Sequence, residues 1–92
     1  MSNTREITVL YFAAASTATG LTSERIPLPP TTDPFTLSSL PSLLVSRHPN
    51  TPLDKVLEGS QWSVDAEMVD DISKVVLKGG EEVAVICPVS GG

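Results

Sequence analysis

The sequence is short of aromatic residues and of cysteine. Two phenylalanines, one tyrosine and one tryptophan are its whole aromatic content, so isoleucine, valine and leucine must form most of the core. The single cysteine, Cys87, excludes an internal disulfide and fits a protein of a reducing compartment. No apolar run is long enough to predict a transmembrane helix. These absences leave one small domain with an aliphatic core as the expectation.

Basic residues are also scarce. Six lysines and arginines stand against eleven acids, which gives a formal net charge of −5, and the bases are scattered along the chain. Because nucleic-acid binding depends on clustered positive charge, we expect no nucleic-acid partner. An acidic surface suits a partner with a basic surface, although the charge would equally serve to keep a small domain in solution.

The first residues and the lone histidine exclude further classes. Residues 1–6 are polar and do not resemble a signal peptide, which has a basic stretch followed by a longer apolar one. With the single cysteine, this predicts a cytoplasmic protein without a membrane partner. His48 has no cysteine or acid at metal-binding spacing nearby, so we expect no metal site.

Two apolar runs near the ends of the chain predict buried strands. Residues 5–12 begin with alternation and end in a continuous apolar run, and residues 83–87 are the most apolar strand-like stretch. The clearest helical pattern lies between them, over residues 36–47, where leucines recur at positions 37, 40 and 44. Because proline is tolerated mainly in a first turn, Pro41 places the expected helix start near Ser38 or Ser39.

Shorter elements account for most of the remaining chain. Residues 13–19 favour a helix of about two turns that stops at Gly20. Residues 22–28 suit an edge strand, because the proline within them cannot donate to a ladder. A strand is predicted over residues 61–65, and residues 67–69 either continue it or form a second piece after a turn. The glycines of residues 78–82 predict a tight turn with positive φ before the last strand.

Together these elements predict an α+β fold. Strands buried on both faces belong in the centre of a sheet, so the first and last strands are expected side by side. The long helical crossover between them makes these two strands parallel. The predicted architecture is therefore a mixed sheet packed on one main helix, which is the β-grasp arrangement of ubiquitin-like proteins. We expect a single domain over residues 1–92 with a flexible C-terminal tail over residues 88–92.

The last five residues are the candidate functional segment. Pro88 closes the preceding strand because it has no N–H donor. The residues after it are small and uncharged, and Gly91 and Gly92 carry no side chain beside the terminal carboxyl group. A strand that delivers two glycines to the chain end is suited to presenting a carboxyl group to another protein.

Four stretches together resemble the small subunits of molybdopterin synthase, a family of ubiquitin-like sulfur carriers. These stretches are Val9-Leu10-Tyr11-Phe12-Ala13, Val64-Asp65, Leu77-Lys78-Gly79-Gly80-Glu81-Glu82-Val83-Ala84 and Pro88-Val89-Ser90-Gly91-Gly92. The last two stretches are the specific part of the resemblance, whereas a Gly-Gly ending alone is a weak signal. Residues 21–59 contribute little to it.

The resemblance implies a sulfur-transfer chemistry at Gly92. An activating enzyme related to ubiquitin-activating enzymes would use ATP to form an acyl-adenylate on Gly92, and sulfur would then replace AMP to give a thiocarboxylate. The large subunit of the synthase would use this sulfur to convert cyclic pyranopterin monophosphate into molybdopterin. The chain would thus be a non-catalytic, sulfur-donating subunit without a permanently bound cofactor, in a heterotetramer of two small and two large subunits.

The same resemblance predicts the residues that touch these partners. They are the tail residues Pro88, Val89, Ser90 and Gly91, and an apolar patch of Phe12, Met68 and Ile86. For Cys87, a packing role is favoured over a role in carrying sulfur. Two alternatives remain open: a related thiocarboxylate carrier for thiamine synthesis or tRNA thiolation, and a ubiquitin-like modifier or docking module that carries no sulfur.

Overall fold

The computed structural model describes residues 5–29 and 34–87, and within them a five-stranded mixed sheet is the central element. Its strands, in chain order, are β1 Glu6–Tyr11, β2 Ser23–Pro27, β4 Gln61–Val64, β5 Glu67–Val69 and β7 Glu82–Ile86. Two further strands of two residues each, β3 Phe35–Thr36 and β6 Val76–Leu77, pair with each other as a separate ribbon.

The order of strands in the main sheet is β2-β1-β7-β4-β5. The first and last strands are neighbours and run parallel, with Val9 opposite Val83 in the register. Strand β7 is the central strand, and β2 lies at an edge as its proline requires. The sheet therefore confirms the predicted β-grasp arrangement, with parallel first and last strands inside the sheet.

Three short α-helices are described: α1 Ala14–Thr19, α2 Leu40–Arg47 and α3 Leu53–Glu58. The helical pattern predicted from residue 36 is a 3₁₀ turn over Leu37–Ser39 followed by α2. Pro41 explains this division, because it lies in the first turn of α2 and cannot donate to the carbonyl of Leu37. That carbonyl instead accepts the N–H of Leu40, one residue earlier, as in a 3₁₀ turn.

The core lies between one face of the sheet and the helices. Alternate residues of β1 and β7 point into it, and Val9, Val83 and Val85 are fully buried. The leucines of the 36–47 pattern supply the opposite wall. Trp62 is 4% exposed, so the only tryptophan is a core residue and not an exposed platform. None of the helices described within residues 5–29 and 34–87 is long and apolar enough to span a membrane.

Candidate functional site

Strand β7 carries the chain to the candidate tail. It is hydrogen-bonded on both sides, to β1 in parallel and to β4 in antiparallel orientation. Its last residue, Ile86, is the register partner of Gln61 at the start of β4. Cys87 is the last residue that the structure describes, and the predicted site residues 88–92 lie outside the described ranges. The base of the tail is therefore held by the central strand of the sheet, which is paired on both sides.

Cys87 packs against the chain that follows β1. Its thiol donates to the carbonyl oxygen of Phe12 at 3.3 Å, and the hydroxyl oxygen of Ser60 lies 3.7 Å from its sulfur. The side chain is half-buried and contacts the core, just beyond the end of β7 rather than inside the strand. A thiol held in this way joins the base of the tail to the end of β1, which agrees with a packing role.

The second face of the sheet, turned away from the helices, is the outer face. One row of register partners crosses it from β1 to β5, and its members are Leu10, Ala84, Ser63 and Met68. Ile86 stands two residues after Ala84 and therefore points to the same face. Ala84 and Ser63 are buried beneath their larger neighbours, with exposed fractions of 8% and 6%.

The predicted patch residues are placed on or beside this face. Phe12 directly follows β1 and Ile86 ends β7, so both are at the end of the sheet from which the tail leaves. Met68 lies across two strand spacings on β5, about 10 Å from β7. Phe12 and Met68 are exposed by 49% and 55%, which is unusual for such large apolar side chains.

The row between these residues was missed by the sequence analysis. Leu10 and Ala84 connect the two ends of the apolar patch, and their strands were interpreted only as buried runs. Leu10 lies in a continuous apolar run, so the sequence pattern does not separate it from Val9 and Tyr11, which face the core. Further from the tail the outer face becomes polar, with Thr8 as register partner of both Arg25 and Glu82. The face is thus apolar at the tail end and polar at the other.

The acids beside β7 shape its turns. The Asp65 carboxylate accepts the N–H of Glu82 at 3.0 Å, and the Asp65 N–H donates back to the Glu82 carbonyl at 2.8 Å. The Glu81 carboxylate accepts the N–H groups of Lys78 and Gly79 at 2.8 and 2.7 Å. The carboxylates of Asp65 and Glu81 are therefore used to fix the backbone of these turns.

A separate polar cluster lies on the core side of the sheet. The Glu24 carboxylate accepts from the Tyr11 hydroxyl at 2.7 Å and from Arg47 Nε at 3.2 Å, and His48 Nε2 lies 2.8 Å from it. Burial alone would raise the pKa of Glu24, but the hydrogen bonds from His48, Tyr11 and Arg47 outweigh it and hold this pKa below its ordinary value. Burial, and next the hydrogen bond to Glu24, raise the pKa of Tyr11.

This cluster shows how His48 is held. His48 caps α2, and its ring contacts the carboxylate of Glu24 on β2. No signal in the sequence connects two residues so far apart along the chain. In residues 5–29 and 34–87 there is no group of histidine, cysteine and acidic side chains that could hold a metal ion.

Comparisons with known proteins connect these features to a family. The profile of the ThiS family matches residues 9–92. The molybdopterin synthase sulfur carrier subunit of Mycosarcoma maydis is 45% identical over 95 residues, and the alignment covers all of both chains.

Two solved structures share the fold. SAMP1 from Haloferax volcanii superposes with a TM-score of 0.74 at 20% identity and covers 95% of this chain and 99% of its own. In a complex of subunits 1 and 2 of the molybdopterin-converting factor from Helicobacter pylori, one chain superposes with a TM-score of 0.63 at 18% identity, covering 95% and 99%.

Proposed function

This chain belongs to the ThiS family, and we propose that it is a sulfur carrier of molybdenum cofactor biosynthesis, the sulfur-donating subunit of a molybdopterin synthase. The observation that carries the proposal is the match of the whole chain to a curated sulfur carrier subunit at 45% identity. The β-grasp sheet supports it, because its central strand leads directly to the C-terminal residues.

The proposed chemistry takes place at the carboxyl group of Gly92. With a pKa of about 3.3–3.7, a terminal carboxyl group is a carboxylate at neutral pH. A carboxylate is a poor acyl donor, because a nucleophile would add charge to an anion. Reaction with ATP, catalysed by an activating enzyme, converts it into an acyl-adenylate and releases pyrophosphate. A sulfur nucleophile then displaces AMP, and Gly92 becomes a thiocarboxylate.

The thiocarboxylate is the form that gives up sulfur. In the large subunit its sulfur forms a bond to cyclic pyranopterin monophosphate, and water then cleaves the C–S bond to Gly92 and regenerates the carboxylate. Two sulfur atoms are required for the dithiolene of each molybdopterin, so two charged carriers are used per product. The catalytic side chains of this step belong to the large subunit, and this chain acts as a protein co-substrate.

The reach of the tail fits this role. Five residues span at most about 17 Å beyond Cys87, enough to enter an enzyme pocket but not to cross a second domain. Glycine at positions 91 and 92 leaves no Cβ to obstruct a narrow channel. The remaining tail residues Pro88, Val89 and Ser90 are proposed to line that channel's entrance.

The outer face is the proposed docking surface for the large subunit. Its apolar end, formed by Phe12, Leu10, Ile86 and Met68, lies beside the base of the tail. A partner that covers this end would bury exposed apolar side chains and receive the tail at the same time. The Helicobacter pylori structure is a complex of subunit 1 with subunit 2 of the molybdopterin-converting factor, which supports a large-subunit partner. We propose a heterotetramer of two small and two large subunits, located in the cytoplasm.

Two alternatives differ from this proposal in the fate of the C-terminal acyl group. The first is a modifier, because SAMP1 from Haloferax volcanii, which shares the fold, is a small archaeal modifier protein. A modifier would transfer its C-terminal acyl group to an amine and form an isopeptide bond without sulfur. A carrier for thiamine synthesis or tRNA thiolation would form the same thiocarboxylate but deliver it to another acceptor.

Intact-mass measurement tests the proposal. After incubation with the activating enzyme, ATP and a sulfide donor, the mass should rise by the difference between one sulfur and one oxygen atom. The charged protein plus its large subunit should then convert cyclic pyranopterin monophosphate into molybdopterin. A thiocarboxylate that forms but is not used in this reaction would favour the other carriers, and conjugation to lysines without sulfur would favour the modifier.

Changes at the chain end provide the first mutational prediction. Gly92→Ala, or one residue added after Gly92, should abolish sulfur transfer, because the reacting carboxyl group is displaced or obstructed. The circular dichroism spectrum and the free energy of unfolding should not change, since the tail follows the last strand. Normal sulfur transfer by the extended chain would contradict the proposed role of Gly92.

A further inference from the structure

A groove on the helix side of the molecule is not used by the proposed function. It has a volume of about 980 Å³ and lies between α2 and α3 on one side and the β4–β5 hairpin on the other. The 3₁₀ turn Ile72–Lys74 closes one end through Ile72. A groove of this size is within the range that holds a peptide side chain with its neighbours or a small molecule.

The floor of this groove is apolar. Trp62 and Leu57 form its deepest part and are nearly buried, with exposed fractions of 4% and 5%. Val45 of α2 and Val69 of β5 are half-buried along its walls. A large apolar side chain that entered the groove would therefore exchange water for aliphatic and indole contacts.

The rim of the groove is acidic on both sides. Asp54 and Glu58 project from α3, and Asp70 and Asp71 lie opposite them after β5. All four side chains are exposed, and none of the residues that line the groove is basic. Asp71 accepts hydrogen bonds from Ser73. The groove therefore combines an apolar floor with a negative potential that selects for positive charge.

We propose that this groove docks a segment of a partner protein in which a large apolar side chain is flanked by lysines or arginines. The apolar side chain would enter between Val45 of α2 and Trp62 of the hairpin, and the flanking cations would face the acids of the two rims. Residues 88–92 of this chain do not meet this description, because they contain no lysine or arginine. Nucleic acids and anionic lipid surfaces are repelled by the same rims.

The position of the groove makes it a second docking surface beside the first. Ser60 and Gln61 line it at the end where Cys87 and Ile86 lead to the tail. Met68 lines the groove and also ends the apolar row of the outer face. A partner could thus occupy the groove while it handles the C-terminus. The inference rests on the groove's own lining and does not depend on sulfur chemistry.

A titration followed by NMR tests the inference on the full-length, ¹⁵N-labelled chain. The probe is the synthetic peptide Lys-Leu-Lys-Lys-Leu-Lys with blocked ends, and the control is the same peptide with every lysine replaced by glutamate. The lysine peptide should cause saturable shifts of the Trp62 indole and of the amides of Leu57 and Val69, and added salt should weaken them. The glutamate peptide should cause none.

Paired variants separate the groove from general charge attraction. Asp54→Asn with Glu58→Gln should raise the dissociation constant of the lysine peptide about fivefold, as expected when two partly exposed ion pairs are lost. Asp70→Asn, on the opposite rim, should raise the dissociation constant by a smaller factor. It tests the acidic rim independently if the substitutions at Asp54 and Glu58 disturb α3. The matched control, Glu6→Gln with Glu82→Gln, removes two acids that do not line the groove.

Three results would overturn the inference. One is the absence of saturable shifts. Another is a set of shifts centred on Leu10 and Ile86 of the outer face. The third is equal weakening by the control pair, which would mean that the peptide responds only to net charge.

Discussion

At the residue scale, Gly79 is the position where a side chain would cost most in the turn before β7. Its φ is 121°, and an added Cβ would lie 3.0 Å from the Cβ of Arg5. Gly79→Ala should therefore lower the free energy of unfolding by about 1–3 kcal/mol, through backbone strain and the close contact. Urea unfolding followed by Trp62 fluorescence measures the change.

Gly59 supplies the matched control. Its φ is −100° and nothing lies within 4 Å of the position of an added Cβ. Gly59→Ala should be neutral or stabilise the fold by up to about 1 kcal/mol, because alanine restricts the unfolded chain. If the two substitutions had equal effects, the special role of Gly79 in the turn would be refuted.

At this scale, a backbone conformation was predictable where the residue type itself favours it. Gly79 and Gly80 were expected at positive φ, and they have φ of 121° and 87°. The sequence did not decide whether residues 67–69 continue β4 or follow a turn, since Asp65 and Ala66 are not a typical hairpin pair. Both residues have positive φ, and Asp65 is fixed by its two hydrogen bonds to Glu82, a contact that only the folded sheet creates.

At the scale of elements, Glu24 joins three parts of the chain. Its carboxylate connects β2 to Tyr11 of β1 and to Arg47 and His48 at the end of α2. Because its pKa in the folded protein is lowered below 4.5, the ionised Glu24 stabilises the fold above that pH. This stabilisation is lost as the pH falls through the lowered folded-state pKa.

Glu24→Gln tests this connection. The substitution keeps the side-chain shape but removes the charge, and should lower the free energy of unfolding at pH 7 by about 1–3 kcal/mol. The difference from the parent should shrink as the pH falls below 4.5, because Glu24 of the unfolded chain then takes up a proton, and it should disappear below the lowered pKa of the folded protein. Urea unfolding at a series of pH values measures both effects.

Tyr11→Phe is the companion variant, since it removes one donor and leaves the carboxylate ionised. Tyr11→Phe should lower the free energy of unfolding by about 1 kcal/mol, and much of the pH dependence of stability should remain. The contrary result is that the Glu24→Gln variant and the parent differ by a constant free energy of unfolding down to the lowest pH at which both are folded. That result would show that the charge of Glu24 does not stabilise the fold.

The elements themselves were largely predictable, but their polar connections were not. Apolar periodicity and proline placed β1, β2, α2 and β7, because burial and missing donors act locally. The contact of Glu24 with His48 joins residues that lie 24 positions apart, and neither sequence segment marks the other. Likewise, β3 and β6 pair only because the folded chain brings Phe35 and Thr36 beside Leu77 and Val76.

For the whole molecule, one face of the sheet packs against the core and the other is the proposed docking surface. One face carries the fully buried side chains of β1 and β7, and the other carries an apolar row that ends in exposed residues. Because both faces are apolar near the tail, the strands appeared as continuous apolar runs and the sequence pattern could not separate the faces. The resemblance supplied Phe12, Met68 and Ile86, while Leu10 and Ala84 became apparent only from the register.

This division predicts that binding and stability can be separated by mutation. Phe12→Ser and Met68→Ser remove side chains that are about half exposed, so each should lower the free energy of unfolding by less than about 1 kcal/mol. Each should weaken association with the large subunit about tenfold or more, because exposed aromatic and methionine side chains are typical anchors. Val76→Ser is the matched control: Val76 is also an exposed apolar residue, at 41%, but lies in β6 of the separate two-stranded ribbon. Calorimetric titration with the large subunit would contradict the docking surface if all three variants bound as tightly as the parent, or if Val76→Ser weakened binding as much as Phe12→Ser.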